Sequence, residues 1–183
     1  MLGSMADGQS KPASSRLRVG RVSTPGHAYL ITTTTRFRRP FFKDSFAAWA
    51  ACRCFETRAL LRDARMLAWV LMPDHAHWLM QLGHRDRLEC VVARLKSASA
   101  RETNQVLRRR GAVWDKSFHD RAVRSDQELA RLARYVVANP LRAGLVSTVR
   151  RYPFWNTVWL TGGQGGTTEV ARGPRPGSAY PMR

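Results

Sequence analysis

The chain has 183 residues, 44% of them hydrophobic, which is the size and composition of one domain with a sizeable core. Its 31 Lys and Arg against 13 Asp and Glu leave a net charge of +18, which is unusual and favours a polyanionic partner. Three cysteines exclude an evenly paired disulfide framework, and no run of 18 apolar residues exists to form a membrane-crossing helix.

Residues 1–26 hold +3 (Lys11, Arg16, Arg18 and Arg21 against Asp7), and residues 162–183 hold +2 (Arg172, Arg175 and Arg183 against Glu169). The remaining +13 belongs to the folded part. Cys52, Cys54 and Cys90 are expected as small core residues in a reduced cytoplasm. The N-terminus lacks the apolar core of a signal peptide, so neither export nor a membrane anchor is expected.

Residues 1–25, rich in Ser, Gly and small polar side chains, read as a flexible leader. The β-branched and aromatic run His27–Arg36 reads as a first strand, ended by Pro40 and Phe41-Phe42. From Ser45 to about Asp63, capped by Asp44 or Ser45, the spacing of Phe46, Trp49, Ala50, Phe55, Leu60 and Leu61 predicts a helix with one buried face. Strands over 65–72 and 75–82 follow, joined tightly at Pro73-Asp74. A second helix spans about Arg87 to Arg108, its inner stripe running through Leu88, Val91, Val92, Leu95 and Ala98 toward Glu102 and Val106. Val113, Trp114, Phe118 and Val123 anchor a fourth strand or an irregular hairpin. The last helix opens with the capping box Ser125-Asp126-Gln127-Glu128, buries Leu129, Leu132, Ala133 and Val136, and ends at Asn139 before Pro140. The order β-α-β-β-α-β-α implies an α+β fold, an antiparallel sheet with helices packed mainly on one face. From residue 161 the Gly/Pro/Arg-rich tail reads as disordered.

The centre of interest is the stretch 68–82. Alternation along a strand puts His75, His77, Leu79 and Gln81 on one face and Ala76, Trp78, Met80 and Leu82 on the other. The two imidazoles, about 7 Å apart along the strand, can close on one cation; alternatively they are polar residues beside a turn. On the last helix Tyr135 flanks the apolar stripe and Asn139 lies one turn further on the same flank. Packing with a wet hydroxyl also accounts for Tyr135, and a helix C-terminal role also accounts for Asn139.

Four segments occur in order: VLMPDHAHWLMQL, LKSASARETN, VWDKSFHDRAVR and ARYVVANPLRAGLV. In these the chain resembles the single-tyrosine HUH transposases, in particular the REP-associated tyrosine transposases, over about residues 26–155. Ala76 departs mildly from the family's larger aliphatic residue. The resemblance implies a ferredoxin-like, RRM-like HUH domain over 26–160, acting on single-stranded DNA beside imperfect palindromic hairpins, as a monomer or homodimer associated with the nucleoid. It implies Tyr135 as the nucleophile that forms a 5′-phosphotyrosine and frees a 3′-hydroxyl, conserving bond energy so that strands can be rejoined. His75, His77 and the amide oxygen of Asn139 would hold Mg²⁺ or Mn²⁺, an incomplete shell with room for phosphate oxygens.

Phosphate contacts are expected from Arg94, Lys96, Arg101 and Arg108 on one helix and from Arg131, Arg134 and Arg142 around the other, with exposed aromatics stacking unpaired bases. Asp115, His119, Asp120 and Arg124 are secondary candidates, His119 more as a structural or DNA-facing residue than as a ligand. His27 and His84 read as ordinary surface or turn residues. Two other classes stay open: a hairpin-binding module without cleavage, and a metal-dependent hydrolase working through activated water.

Overall fold

Alternation sets the first strand. In β1 (Ala28–Thr34) of the computed structural model, which describes residues 23–159, Tyr29, Ile31 and Thr33 are buried and the residues between them half-buried. The expected tail, and the leader up to residue 22, lie outside the described residues. Runs of Val, Leu, Met and Trp make β2 (Arg65–Met72) and β3 (His75–Gln81), joined through Pro73-Asp74 with Met72 opposite His75. Both strands are buried almost throughout, because both faces are covered.

The five-stranded sheet has the order β4-β1-β3-β2-β5 with every pair antiparallel, β4 being His119–Ala122 and β5 Trp155–Thr157. Register sorts the faces. Ile31, Trp78 and Trp69 are cross-strand partners on one face; Thr32, His77 and Val70 are partners on the other. Against the first face pack α1 (Ser45–Phe55), whose Phe55 ring lies 5.4 Å from Trp69 and 5.1 Å from Trp78, and α3 (Leu88–Val106), whose Ser99 hydroxyl accepts the Trp114 indole N–H at 2.9 Å. The other face carries α4 (Asp126–Val137), which brings Tyr135 against His77. This is the expected α+β architecture, with two long helices on one face and one across the other.

Several elements differ in detail from expectation. The first helix, capped by the Asp44 carboxylate on the Ala47 N–H at 2.8 Å, stops at Phe55 and restarts as the single turn α2 (Arg58–Leu61). At that break stands Glu56, whose carboxylate accepts both the Trp69 indole N–H and the Asn156 amide at 2.7 Å. Phe46, expected inside, is exposed. The inner stripe of α3 continues through Ser99 and Thr103 rather than Glu102 and Val106, because both hydroxyls donate back to their own helix, to Leu95 O and Ser99 O. Cys52 and Cys54 are buried but Cys90 is exposed. The last helix ends as Pro140 requires, yet a further turn, α5 (Asn139–Arg142), starts at once with the proline in its first turn, where a missing N–H costs nothing. β5 was not expected at all.

Candidate active site

The site is built on the middle of the sheet. The rings of His75 and His77 lie 5.1 Å apart, centroid to centroid, and the Tyr135 ring lies 5.8 Å from His77. The expected trio thus meets within one chain. His77 is buried and His75 half-buried at the end of β3. Burial, helped by the neighbouring His75, lowers the His77 pKa to about 4, so its imidazole is neutral near pH 7 and carries a lone pair a cation can take.

Each ring is fixed from behind through Nδ1. That of His75 lies 2.6 Å from the Asp74 carboxylate, and that of His77 lies 2.9 Å from the Thr32 hydroxyl. Partial burial pushes the Asp74 carboxyl up, but the hydrogen bond and charge of His75 and the Arg38 guanidinium hold it below its ordinary value. A carboxylate only accepts, so the His75 Nδ1–H donates to it, which leaves Nε2 for other partners. The two oxygens hold the rings in fixed orientations. Thr32 was not anticipated; its role depends on a strand register that the sequence alone does not display.

Tyr135 stands on α4 with over a third of its surface exposed, and the Arg142 guanidinium lies 5.2 Å from its ring centre. The helix is positioned by Ser125, whose hydroxyl accepts the Glu128 N–H at 3.2 Å, and by the Glu128 carboxylate, which accepts the Arg124 N–H at 2.7 Å and pairs with Arg121. The reciprocal half of the capping box therefore falls one residue before the cap. Asn139 spends its amide N–H₂ on the carbonyls of Tyr135, at 2.9 Å, and Val136, at 3.5 Å. Its amide oxygen is not used in these two bonds. Among the described residues no third His, Cys, Asp or Glu joins the two histidines in a cluster that could hold a metal.

The remaining candidates divide by face. Arg94, Lys96, Arg101 and Arg108 belong to α3 or its end, on the opposite side of the sheet from the histidines. Two of them have structural duties: Arg94 donates to Leu60 O at 2.8 Å and pairs with Asp86 at 2.6 Å, while Lys96 donates to the backbone carbonyls of Asp115, at 2.5 Å, and Ser117, at 3.1 Å. Arg101 and Arg108 are exposed. Arg131, Arg134 and Arg142 are exposed on the tyrosine side. His119 is the partner of Thr32 across β1, so it shares the sheet face of His77, two strands away; Asp120 is opposite Ile31 and faces the other way. Asp115 pairs with Arg36 at 3.3 Å, and Arg124 is exposed before the cap of α4. His27 and His84 are exposed loop residues, in keeping with the expected surface positions.

The IS200-like transposase family model matches residues 23–139, which include His75, His77, Tyr135 and Asn139. The chain belongs to the IS200-like transposase family. A Haemophilus influenzae protein provisionally named a REP-associated tyrosine transposase is 30% identical over 98 residues, covering 48% of this chain and 56% of the relative. The chain thus spans little more than half the length of that curated relative. A solved structure of a REP-associated tyrosine transposase bound to a REP hairpin aligns with a TM-score of 0.58 at 21% identity, over 74% of this chain and 79% of the other. That likeness fixes the fold. No helix among the described residues is long and apolar enough to cross a membrane.

Proposed function

We propose that this IS200-like transposase is a metal-dependent DNA transesterase that cuts and rejoins single-stranded DNA beside palindromic hairpins. The observation that carries the reading is the Tyr135 ring packed against His77, itself paired with His75, all within one chain. The REP hairpin bound by the related transposase supports hairpin DNA as the substrate.

The residues fit a divalent cation by their chemistry: two imidazoles turned by Asp74 and Thr32, with the Asn139 amide oxygen as third donor. Bound there, Mg²⁺ or Mn²⁺ supplies charge neutralisation at the scissile phosphate and steadies the departing 3′-oxygen. The Tyr135 oxygen attacks phosphorus, its P–O bond forming as the P–O3′ bond breaks. The phenol gives up its proton and the 3′-oxygen gains one, leaving a 5′-phosphotyrosine and a 3′-hydroxyl. No water enters, so the reverse attack by a 3′-hydroxyl rejoins a strand. In this reading Arg142, whose guanidinium lies 5.2 Å from the phenol ring centre, would draw the phosphate toward it.

The test is incubation with labelled single-stranded hairpins, taken from DNA around the chain's own gene, in Mn²⁺. A denaturation-resistant protein–DNA adduct formed by the native chain supports the reading. Hairpin binding without any adduct points to a non-cleaving module instead, and cleavage that leaves a 5′-phosphate and no adduct points to a hydrolase.

A further inference from the structure

We propose that the turn Arg36–Arg39, between β1 and α1, is a stacking platform for one unpaired base of the DNA strand entering the histidine site; this rests on the transesterase reading above. Phe37 is 72% exposed, an unusual place for a phenyl ring in a chain with ample core to fill. Its backbone is left-handed (φ 55°, ψ 29°), and so is that of Arg38 (φ 53°), a conformation disfavoured for bulky residues and tolerated where surrounding contacts enforce it. Those contacts are present. The buried Thr35 hydroxyl bonds the carbonyls of Arg39, at 2.7 Å, and Asp74, at 3.0 Å, and the Thr35 N–H donates to Asp74 O at 2.8 Å.

The ring stands among cations. The Arg36 guanidinium lies 4.4 Å from its centre, and Arg109 sits 4.5 Å from the ring of Phe41 across a cleft of about 240 Å³ that Arg39 also lines. Arg36 covers one face of the Phe37 ring, and the open face, with Arg39 and Arg109 lining the cleft beside it, matches one nucleotide, base on ring and phosphate on arginine. A paired base hides both its faces in the helical stack, so the match is to unpaired DNA. The turn also adjoins the site: Arg38 pairs with the Asp74 carboxylate at 3.1 Å, and that carboxylate holds His75.

The test is fluorescence anisotropy with a single-stranded oligonucleotide and with a blunt hairpin, on the native chain, Phe37→Gly and Phe37→Tyr. Glycine suits the left-handed backbone, so Phe37→Gly is expected to keep the native Tm while binding the single strand about 10- to 100-fold more weakly. The blunt hairpin should bind within twofold of native, and Phe37→Tyr should restore single-strand affinity. Adduct formation by Phe37→Gly should recover at saturating DNA, because the chemistry is untouched. Single-strand affinity unchanged in Phe37→Gly overturns the platform alone, and so does an equal loss on both DNAs. A native chain that binds neither DNA overturns the transesterase reading itself.

Discussion

The Nδ1 atom of His77 lies 2.9 Å from the hydroxyl of Thr32, its register partner on β1. A residue 45 positions away in sequence thereby engages one nitrogen of a buried imidazole and leaves the other, Nε2, for further partners. Replacing Thr32 with Val keeps the shape and removes the oxygen. The expected result is Mn²⁺ affinity about 10- to 100-fold weaker by calorimetric titration, with the fold unchanged by circular dichroism. Affinity within twofold of native would show that the ring is held by packing alone.

What could be read from the chain and what could not divides along the same line. The His75/His77 alternation is local, with a period of two residues, and so is the Ser125 cap; both are where the sequence puts them. The contact between Tyr135 and His77 was reached only through the motif, since no spacing rule joins positions 58 residues apart. The contact of Thr32 with His77, the pairing of β5 and the partners of Glu56 are all tertiary. Ser99 and Thr103 misled for a different reason: returning their hydroxyls to helix carbonyls lets polar residues occupy the apolar stripe.

Asn139 can serve as helix terminator, as ligand, or as both, and two substitutions separate these duties. Asn139→Asp retains an oxygen ligand but loses the N–H₂ that bonds Tyr135 O and Val136 O. If the oxygen matters, Asn139→Asp keeps adduct formation within about tenfold of native at saturating Mn²⁺, while Asn139→Ala loses about 10²-fold. Equal losses in the two variants would assign the residue to the backbone.

Glu56 joins three elements, accepting from Trp69 on β2 and Asn156 on β5 at the end of α1. Glu56→Ala leaves the buried indole N–H without its acceptor. The expected cost is about 2–4 kcal/mol of unfolding free energy, measured by urea denaturation. Trp69→Phe in the same background should recover part of it, because the orphaned donor is then gone. A loss below about 0.5 kcal/mol would mean that water replaces the carboxylate.

Acid should loosen the metal-free protein through His77. Its folded pKa of about 4 lies below the value near 6.5 of an unfolded chain, so the unfolded state takes up the proton first. The contribution is complete above pH 6.5 and is lost as pH falls toward 4, with a slope of at most about 1.4 kcal/mol per pH unit. Urea midpoints measured with chelator present between pH 7 and 4 should show this fall, and His77→Gln should flatten it. An equal slope in the variant would place the acid sensitivity elsewhere.

The two groups of arginines make opposite predictions in salt. If about five phosphates of a single strand are neutralised, log K falls against log salt with a slope of about −3.5. Arg131, Arg134 and Arg142 are exposed on the tyrosine side, so replacing all three with Ala should bring the slope to about −1.4 with stability nearly native. Arg94 instead holds Leu60 O and Asp86 on the far side of the sheet. Arg94→Ala should leave the slope alone and cost about 1–3 kcal/mol of stability. A slope that changes for Arg94→Ala and not for the triple variant would place the DNA across α3, away from the tyrosine.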